Sequence, residues 1–600
     1  MGIPQLRRHL EPYAERAILD RSNVVLDGPA LAYHVLGLCT RTARKTSPLE
    51  QPSYELLGRT AIAWLKRIQS CGLLVSAIYF DSFLPASKRP ERIQRLIRSS
   101  RDLIKYHSAY PAGVPGTSSR HAAGDADVDL FPSAWPAERK AQPPAPPFLV
   151  PAIIDALRSS PEFGHLVKLV PGEADGFCAR HVRQHGGLVL TSDSDLLVYD
   201  LGQTGGVVFL ADIAADEETQ RLRAPQYIPV HLCKRLSLTL KPEAGLRSLA
   251  FEVSRDPHLT LQQAVERCKA GQATSATEDE YSDFVDLYLS PEVASKLEAD
   301  HVLLLDPRIS EIVLRSLKTE GIATTSPGNK TISKRDGDDA LEMFLPFLLD
   351  CPARTSAWEA SKATRQLAYA VLQSLRGSDV ISMSEMRRLQ SMSSGTNLAV
   401  PKLTEIDGLG DTLLARLYEI EAGLNDPNLI WVTLAVYEDI TMTIDRGRGS
   451  PLSLGVLRQA ASGEIDPCSW EFLHLLAQTQ ATYYSLRMLF QVLKFAAHHA
   501  GTLSTPLSKL VRYLARLPSL PDFPSARTFA QTLVELREGG GLSCLETLCA
   551  DYGDAMLLIR SVQEPQNANK SKKRKRRAPP EGITKPRSGN PFDLLAGVGD

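Results

Sequence analysis

Asp27, Asp81, Glu173, Asp175, Asp193 and Asp195 are the residues whose types and spacing could do chemistry. Four of them form two i, i+2 pairs, in "PGEADG" and "TSDSDL", and all six end or follow apolar runs: "NVVLD", "LVSAIYFD", "HLVKLVPGEAD" and "GGLVLTSDSD". Gathered in one place, six carboxylates repel one another unless a cation neutralises them. An oxygen-only set without His or Cys suits Mg²⁺ or Mn²⁺. Two such ions about 4 Å apart activate a water and stabilise the leaving oxygen of a phosphodiester. Taken singly, each acid also fits a helix cap or a first-turn acid, and "SDSD" fits a turn. Their coincidence at four strand ends is what independent caps do not explain.

The elements that must position these acids follow from the pattern. Strand-like runs at 23–28, 74–81, 165–175, 186–195 and 205–210 alternate with helical spacing at 54–72 and 174–187, each helix stopping at a glycine. Strand and helix in alternation predict a mostly parallel α/β sheet with helices on both faces, whose ligands bind beyond the carboxyl ends of the strands. From about residue 271 to 563 the spacing is helical almost throughout, which predicts a separate α-helical domain after an α/β domain at 1–270. The Pro-, Gly-, Ser- and Ala-rich stretch at about 106–147 reads as a flexible insertion.

At 600 residues the chain exceeds one comfortable core. Nine scattered cysteines form no CxxC or Cys/His cluster, arguing against a disulfide framework and a zinc site. No apolar run approaches the roughly 20 residues of a membrane span, and "MGIPQLRRHL" has no signal-peptide core, so the chain reads as intracellular without a membrane partner. The tail at 564–600 reads as disordered. Its "KSKKRKRR", with Lys570, Lys572, Lys573, Arg574, Lys575, Arg576 and Arg577, fits a nuclear-import signal read by an import receptor, or a nonspecific phosphate-binding tail. The expected location is the nucleus. With that run set aside the body is net acidic, so any nucleic-acid contact must come from a local patch.

"MGIPQL", "VVLDGPALAY", "IYFDSFLPASKRPERIQR" and above all "PGEADGFCARHVRQHGGLVLTSDSDLLVYD" resemble the flap-endonuclease/XPG nuclease superfamily over about residues 1–260. With "DGPALAYH", the insertion and the helical second half, the chain looks most like the asteroid branch. The resemblance implies a PIN-like parallel sheet sandwiched by helices and a structure-specific endonuclease using two Mg²⁺ or Mn²⁺ ions, with DNA ahead of RNA as substrate. It implies Asp27, Asp81, Glu173, Asp175, Asp193 and Asp195 as metal ligands, and Lys88 and Arg95 as the basic pair aimed at the scissile phosphate. Gly2, Tyr33, Lys88, Arg92, Arg95 and Arg98 are the implied nucleic-acid contacts. Tyr33 would stack on a base, though a core tyrosine fits the same spacing. Arg92, Arg95 and Arg98, three apart, would form one basic stripe, though a solvated helix face fits too.

The sequence departs from that family in two places. Where flap endonucleases carry a seventh acid and a Gly-rich duplex-gripping hairpin, this chain reads "LAFEVSRDPHLTLQQAVERC", leaving Asp256 as the one candidate acid. A substitute hairpin could lie in "EIDGLGDTLLARLYEIE", where Gly408 and Gly410 open a helix, or that segment is an ordinary turn between helices. Loss of the hairpin keeps a second reading open, a nuclease-fold scaffold that binds nucleic acid or regulates.

Overall fold

In this computed structural model the described residues are 2–42, 51–84, 88–114, 128–135, 143–216, 221–240, 245–270, 278–286, 288, 299–317, 341–376, 383–388, 395–447 and 449–563. The basic run at 570–577 and the rest of the tail lie outside them.

The strands in chain order are β1 (Glu15–Leu19), β2 (Asn23–Asp27), β3 (Leu74–Phe83), β4 (Val167–Pro171), β5 (Leu188–Thr191), β6 (Gly206–Phe209), β7 (Ala214–Ala215) and β8 (Leu222–Gln226). Five of them form a wholly parallel sheet in the order β4-β3-β2-β5-β6. Alternation along each strand fills two cores. Val24, Leu26, Ile78, Phe80 and Leu190 point to one face, while Val25, Ala77, Tyr79 and Val189 point to the other. Helices Gly28–Arg41, Tyr54–Ser70 and Leu149–Arg158 cover the first face, and helices Ala174–His185, Pro229–Leu236 and Leu246–Arg255 cover the second. This is the expected helix-sheet-helix sandwich. The chain leaves β2 for β3 and β4 on one side and returns to β5 on the other, so the order reverses between β2 and β5. Ligand crevices form beyond the carboxyl ends at such a switch point. A small antiparallel sheet, β1-β8-β7, flanks the main one.

The second half is mostly helical, as its spacing predicts, but it is not a separate body. It contains a three-stranded sheet of β9 (Leu341–Phe344), β10 (Met383–Met386) and β11 (Thr396–Leu398). One continuous hydrophobic core runs from Leu19 to Val562, across the expected boundary at 270. Phe148 stacks on Tyr484 with ring centroids 4.7 Å apart, Arg487 donates two hydrogen bonds to Asp155 at 2.8 and 3.0 Å, and the Ser82 and Ser310 hydroxyls lie 2.7 Å apart. The helix Trp470–Ala500 is buried nearly all round because elements pack on every side of it.

The expected flexible insertion is corrected over its described parts. Tyr106 is buried, the Val114 N–H donates to the Cys468 carbonyl at 2.7 Å, and the Trp470 indole donates to the Tyr110 carbonyl at 2.7 Å. Aromatic anchors hold a stretch whose composition alone reads as loop. Among the described residues no helix is long and apolar enough to cross a membrane.

Candidate nuclease site

All six acids come to the carboxyl ends of four neighbouring strands. Asp27 is the last residue of β2, and Asp81 lies at an irregularity in the register between β3 and β4. Glu173 and Asp175 open the helix that follows β4, while Asp193 and Asp195 open the 3₁₀ turn Ser194–Val198 that follows β5.

Hydrogen bonds fix four of them. Asp27, 5% exposed, accepts the Ala30 N–H at 3.1 Å as cap of its helix and the Thr191 hydroxyl at 2.6 Å. The Thr191 oxygen in turn accepts the Asp193 N–H at 3.0 Å, which ties the ends of β2 and β5 together. Asp193 accepts the Asp195 N–H at 3.1 Å, and Asp81 accepts the Ala174 N–H at 2.7 Å. Asp195 accepts the Ile3 N–H at 2.8 Å, so the start of the chain buttresses the acid loop. Gly2 sits there at φ +128°, where a Cβ would lie 2.5 Å from Asp193 Oδ1 and 2.3 Å from Ser194 Oγ. Only glycine fits that approach.

The carboxylates act on one another. Burial first, then repulsion from Asp27 and Glu173, pushes Asp81 up to about 7. Burial and then Asp193 push Asp195 up to about 6, and burial pushes Asp27 up to about 6 against the pull of its Thr191 and Ala30 bonds. Asp175 is raised well above the usual carboxylate range by burial and then by Asp27, Asp193, Asp81 and Glu173. This is an excess of buried anion that a hard divalent cation would relieve. The donor chemistry therefore fits the expected metal, although among the described residues no three carboxylate, imidazole or thiolate groups already stand as a ligand set.

Lys88 Nζ lies 2.9 Å from Glu173 Oε1 and 3.9 Å from Glu91. Burial alone would lower its pKa, but Glu173 and then Glu91 and Asp195 hold it above the usual lysine value. Arg95, exposed, pairs with Glu91 one turn back and lowers Asp81 from a distance. Arg98 is exposed on the same helix, Arg89–Ala109. Tyr33 is 57% exposed, which removes the alternative of a core tyrosine.

Two expectations are corrected. Arg92 does not belong to an exposed stripe: it pairs with Glu311 at 2.5 Å and rests 3.8 Å from the Phe344 ring centre, because helix Pro307–Ser316 and β9 pack over that side. Asp256 ends helix Leu246–Arg255 and accepts the His258 N–H at 3.1 Å. Gly408 and Gly410 do not form a phosphate hairpin either. Both lie inside helix Ile406–Gly423, Gly410 is packed where a Cβ would meet Leu507, and Glu405 precedes the helix.

Sequence reasoning missed the second ring of the site. Arg247, 5% exposed, donates through Nε to the Val198 carbonyl at 2.8 Å and through Nη2 to the Tyr288 carbonyl at 3.4 Å. The Tyr199 and Tyr288 rings meet edge to face at 5.5 Å, and both hydroxyls are raised by burial and then by acids of the cluster. Thr191 had a local signal, since it directly precedes "SDSD". Arg247 and Tyr288 had none.

Residues 145–400 match a family model described as "XPG domain containing". Over that stretch, less than half of its length, the chain is similar to XPG-type nucleases. None of the curated proteins matches it. Among solved structures, human GEN1 in complex with Holliday junction DNA aligns over 49% of this chain and 69% of that one, at 12% identity and a TM-score of 0.27. A likeness that low carries no argument about substrate. The matched region spans Glu173, Asp175, Asp193 and Asp195, together with Arg247 and Tyr288. The XPG-type family match thus covers four of the six acids, but not Asp27 or Asp81, and part of the ring that supports them.

Proposed function

We propose that the protein is a divalent-metal-dependent, structure-specific endonuclease of the asteroid type, hydrolysing phosphodiester bonds in DNA ahead of RNA. One observation carries this reading: six carboxylates stand at four neighbouring strand ends by the switch point of the sheet, and four of them are pushed up from their ordinary pKa by burial and by one another. Nucleases of this family generally use divalent metal ions. Asp27, Asp81, Glu173, Asp175, Asp193 and Asp195 would hold two Mg²⁺ or Mn²⁺ ions. When bound, such ions lower the pKa of water and stabilise charge on phosphate oxygens.

The protein's own groups do the rest. Lys88 and Arg95 supply positive charge to the phosphate as negative charge develops on it. Tyr33, exposed one helix turn and a half beyond Asp27, offers a ring to the neighbouring base. The network of Ile3, Thr191 and Ala174 holds the acids against their mutual repulsion before substrate arrives.

The test is cleavage of labelled flaps, overhangs, bubbles and single strands by the purified chain with Mg²⁺ or Mn²⁺. Asp193→Asn and Asp195→Asn should abolish cleavage while the metal-free protein melts at the same temperature or higher, because a crowded anion is gone. Unchanged turnover in a folded double variant would overturn the assignment. A second reading, a nuclease-fold scaffold that binds nucleic acid without cutting, is favoured by the Lys88–Glu173 pair, which occupies one proposed ligand. Divalent-metal stabilisation in a thermal melt separates the two, since a ligand that binds only the folded state raises its stability.

A further inference from the structure

We propose that a cationic and aromatic strip beside the acid cluster, made of Lys168, Tyr79, Phe177, Arg180, His181 and His185, binds the phosphodiester backbone of a nucleic-acid strand. The proposal rests on the nuclease reading and extends it to residues to which that reading gives no role.

Helix Ala174–His185 carries Asp175 in its first turn. Further along, Phe177, Arg180, His181 and His185 follow at intervals of three, one and four residues, which places them on one helix face. Each of these four side chains is partly or fully exposed. Lys168 is exposed on β4, an edge strand, and pairs in register with Tyr79 of β3.

These side chains interlock across the two elements. Lys168 Nζ lies 5.7 Å from the Tyr79 ring centre, and the Arg180 guanidinium 5.3 Å from that of Phe177. The Tyr79 and Phe177 rings are 6.2 Å apart, Tyr79 OH and His181 Nδ1 share a hydrogen bond of 3.0 Å, and the His181 and His185 rings are 4.8 Å apart. A cation resting on an aromatic face is held in place. Arg183, off this face, pairs with Asp200 at 3.2 Å. The field at His181 is also positive, since His185 and Lys168 add to burial in lowering its pKa.

Phosphate is the chemistry that fits: ordered cations, interleaved rings, and a position on the same helix as two of the acids. From Phe177 to His185 the helix rises about 12 Å, room for roughly three nucleotides of a strand. Lys88, Arg95 and Arg98 stand on a different element, so a strand leaving the acids along this helix would meet a second set of positive charges.

The experiment measures anisotropy of a labelled single-stranded oligodeoxynucleotide with the full chain, in an Asp193→Asn background that keeps the strand intact. Lys168→Ala with Arg180→Ala should weaken binding about tenfold or more. The salt dependence should fall by roughly 0.7 per lost phosphate contact, about 1.4 for the pair. Lys168→Arg with Arg180→Lys should restore most of the affinity, which a folding defect would not allow. Lys234→Ala, exposed on helix Pro229–Leu236, serves as the control and should change neither quantity. Unchanged affinity and salt slope in the double alanine variant would overturn the strip and leave the nuclease reading standing. Failure of the parent to bind any strand would overturn both. Loss of binding to a polyglutamate peptide but not to the oligonucleotide would assign the strip to an acidic protein and overturn it as a strand site.

Discussion

Lys88 stands where the two charges of the site meet, 2.9 Å from Glu173 and within reach of Asp195's field. A cation there helps most when the phosphate gains negative charge in the transition state, so Lys88→Ala or Arg95→Ala should lower single-turnover cleavage by about 10²-fold or more. Mn²⁺ affinity should hold or rise, because neither residue is a ligand and Lys88 competes with cations for Glu173. A joint collapse of turnover and Mn²⁺ affinity would make both residues structural. Asp81 yields a test that needs no substrate. Its folded pKa is raised from 3.8 to about 7, so the stability tied to its proton is complete below the unfolded value and is lost as pH rises through about 7. Asp81→Asn fixes a neutral group that can still accept the Ala174 N–H. In EDTA the variant should melt above wild type at about pH 8, and the gap should narrow by about pH 5 and close below about pH 4. A gap of equal size across this pH range would place the effect in packing instead.

At the scale of elements, helix Arg89–Ala109 divides its arginines by what packs against it. Arg95 and Arg98 face solvent, while Arg92 is pinned between Glu311 and Phe344. Arg92→Ala should therefore lower stability by about 1–2 kcal/mol through the lost ion pair and ring contact, since Arg315 still pairs with Glu311 at 2.7 Å. Its salt slope for strand binding should stay that of wild type, whereas Arg98→Ala should reduce it. An Arg92 variant with normal melting and a reduced slope would return Arg92 to the nucleic-acid surface. Three-residue spacing puts these arginines near one face, but it does not say which of them a later element covers.

At the scale of the whole molecule, the two halves share one core, and this predicts what can be cut away. A fragment of residues 1–270 loses Tyr484 from Phe148 and Arg487 from Asp155, leaving apolar surface and a half-buried carboxylate exposed. It should fail to give a cooperative melt, while residues 1–563 should melt like the full chain; a well-folded 1–270 fragment would show that the shared core is dispensable. The sequence by itself determined the five parallel strands, two of the helices that cover them and the strand-end positions of all six acids, because strand and helix periods are local and each acid lies within a few residues of its strand end. Gly2, implied as a nucleic-acid contact, packs instead against Asp193 and Ser194, far along the chain, where a Cβ would not fit. Only the tertiary structure decided that Arg92 is pinned between Glu311 and Phe344 and that Gly410 packs against Leu507. The same holds for Arg247 and Tyr288, which support the acid loop from positions far along the chain. Those outcomes depend on which distant surface arrives to exclude water, and no period or spacing along the chain encodes it.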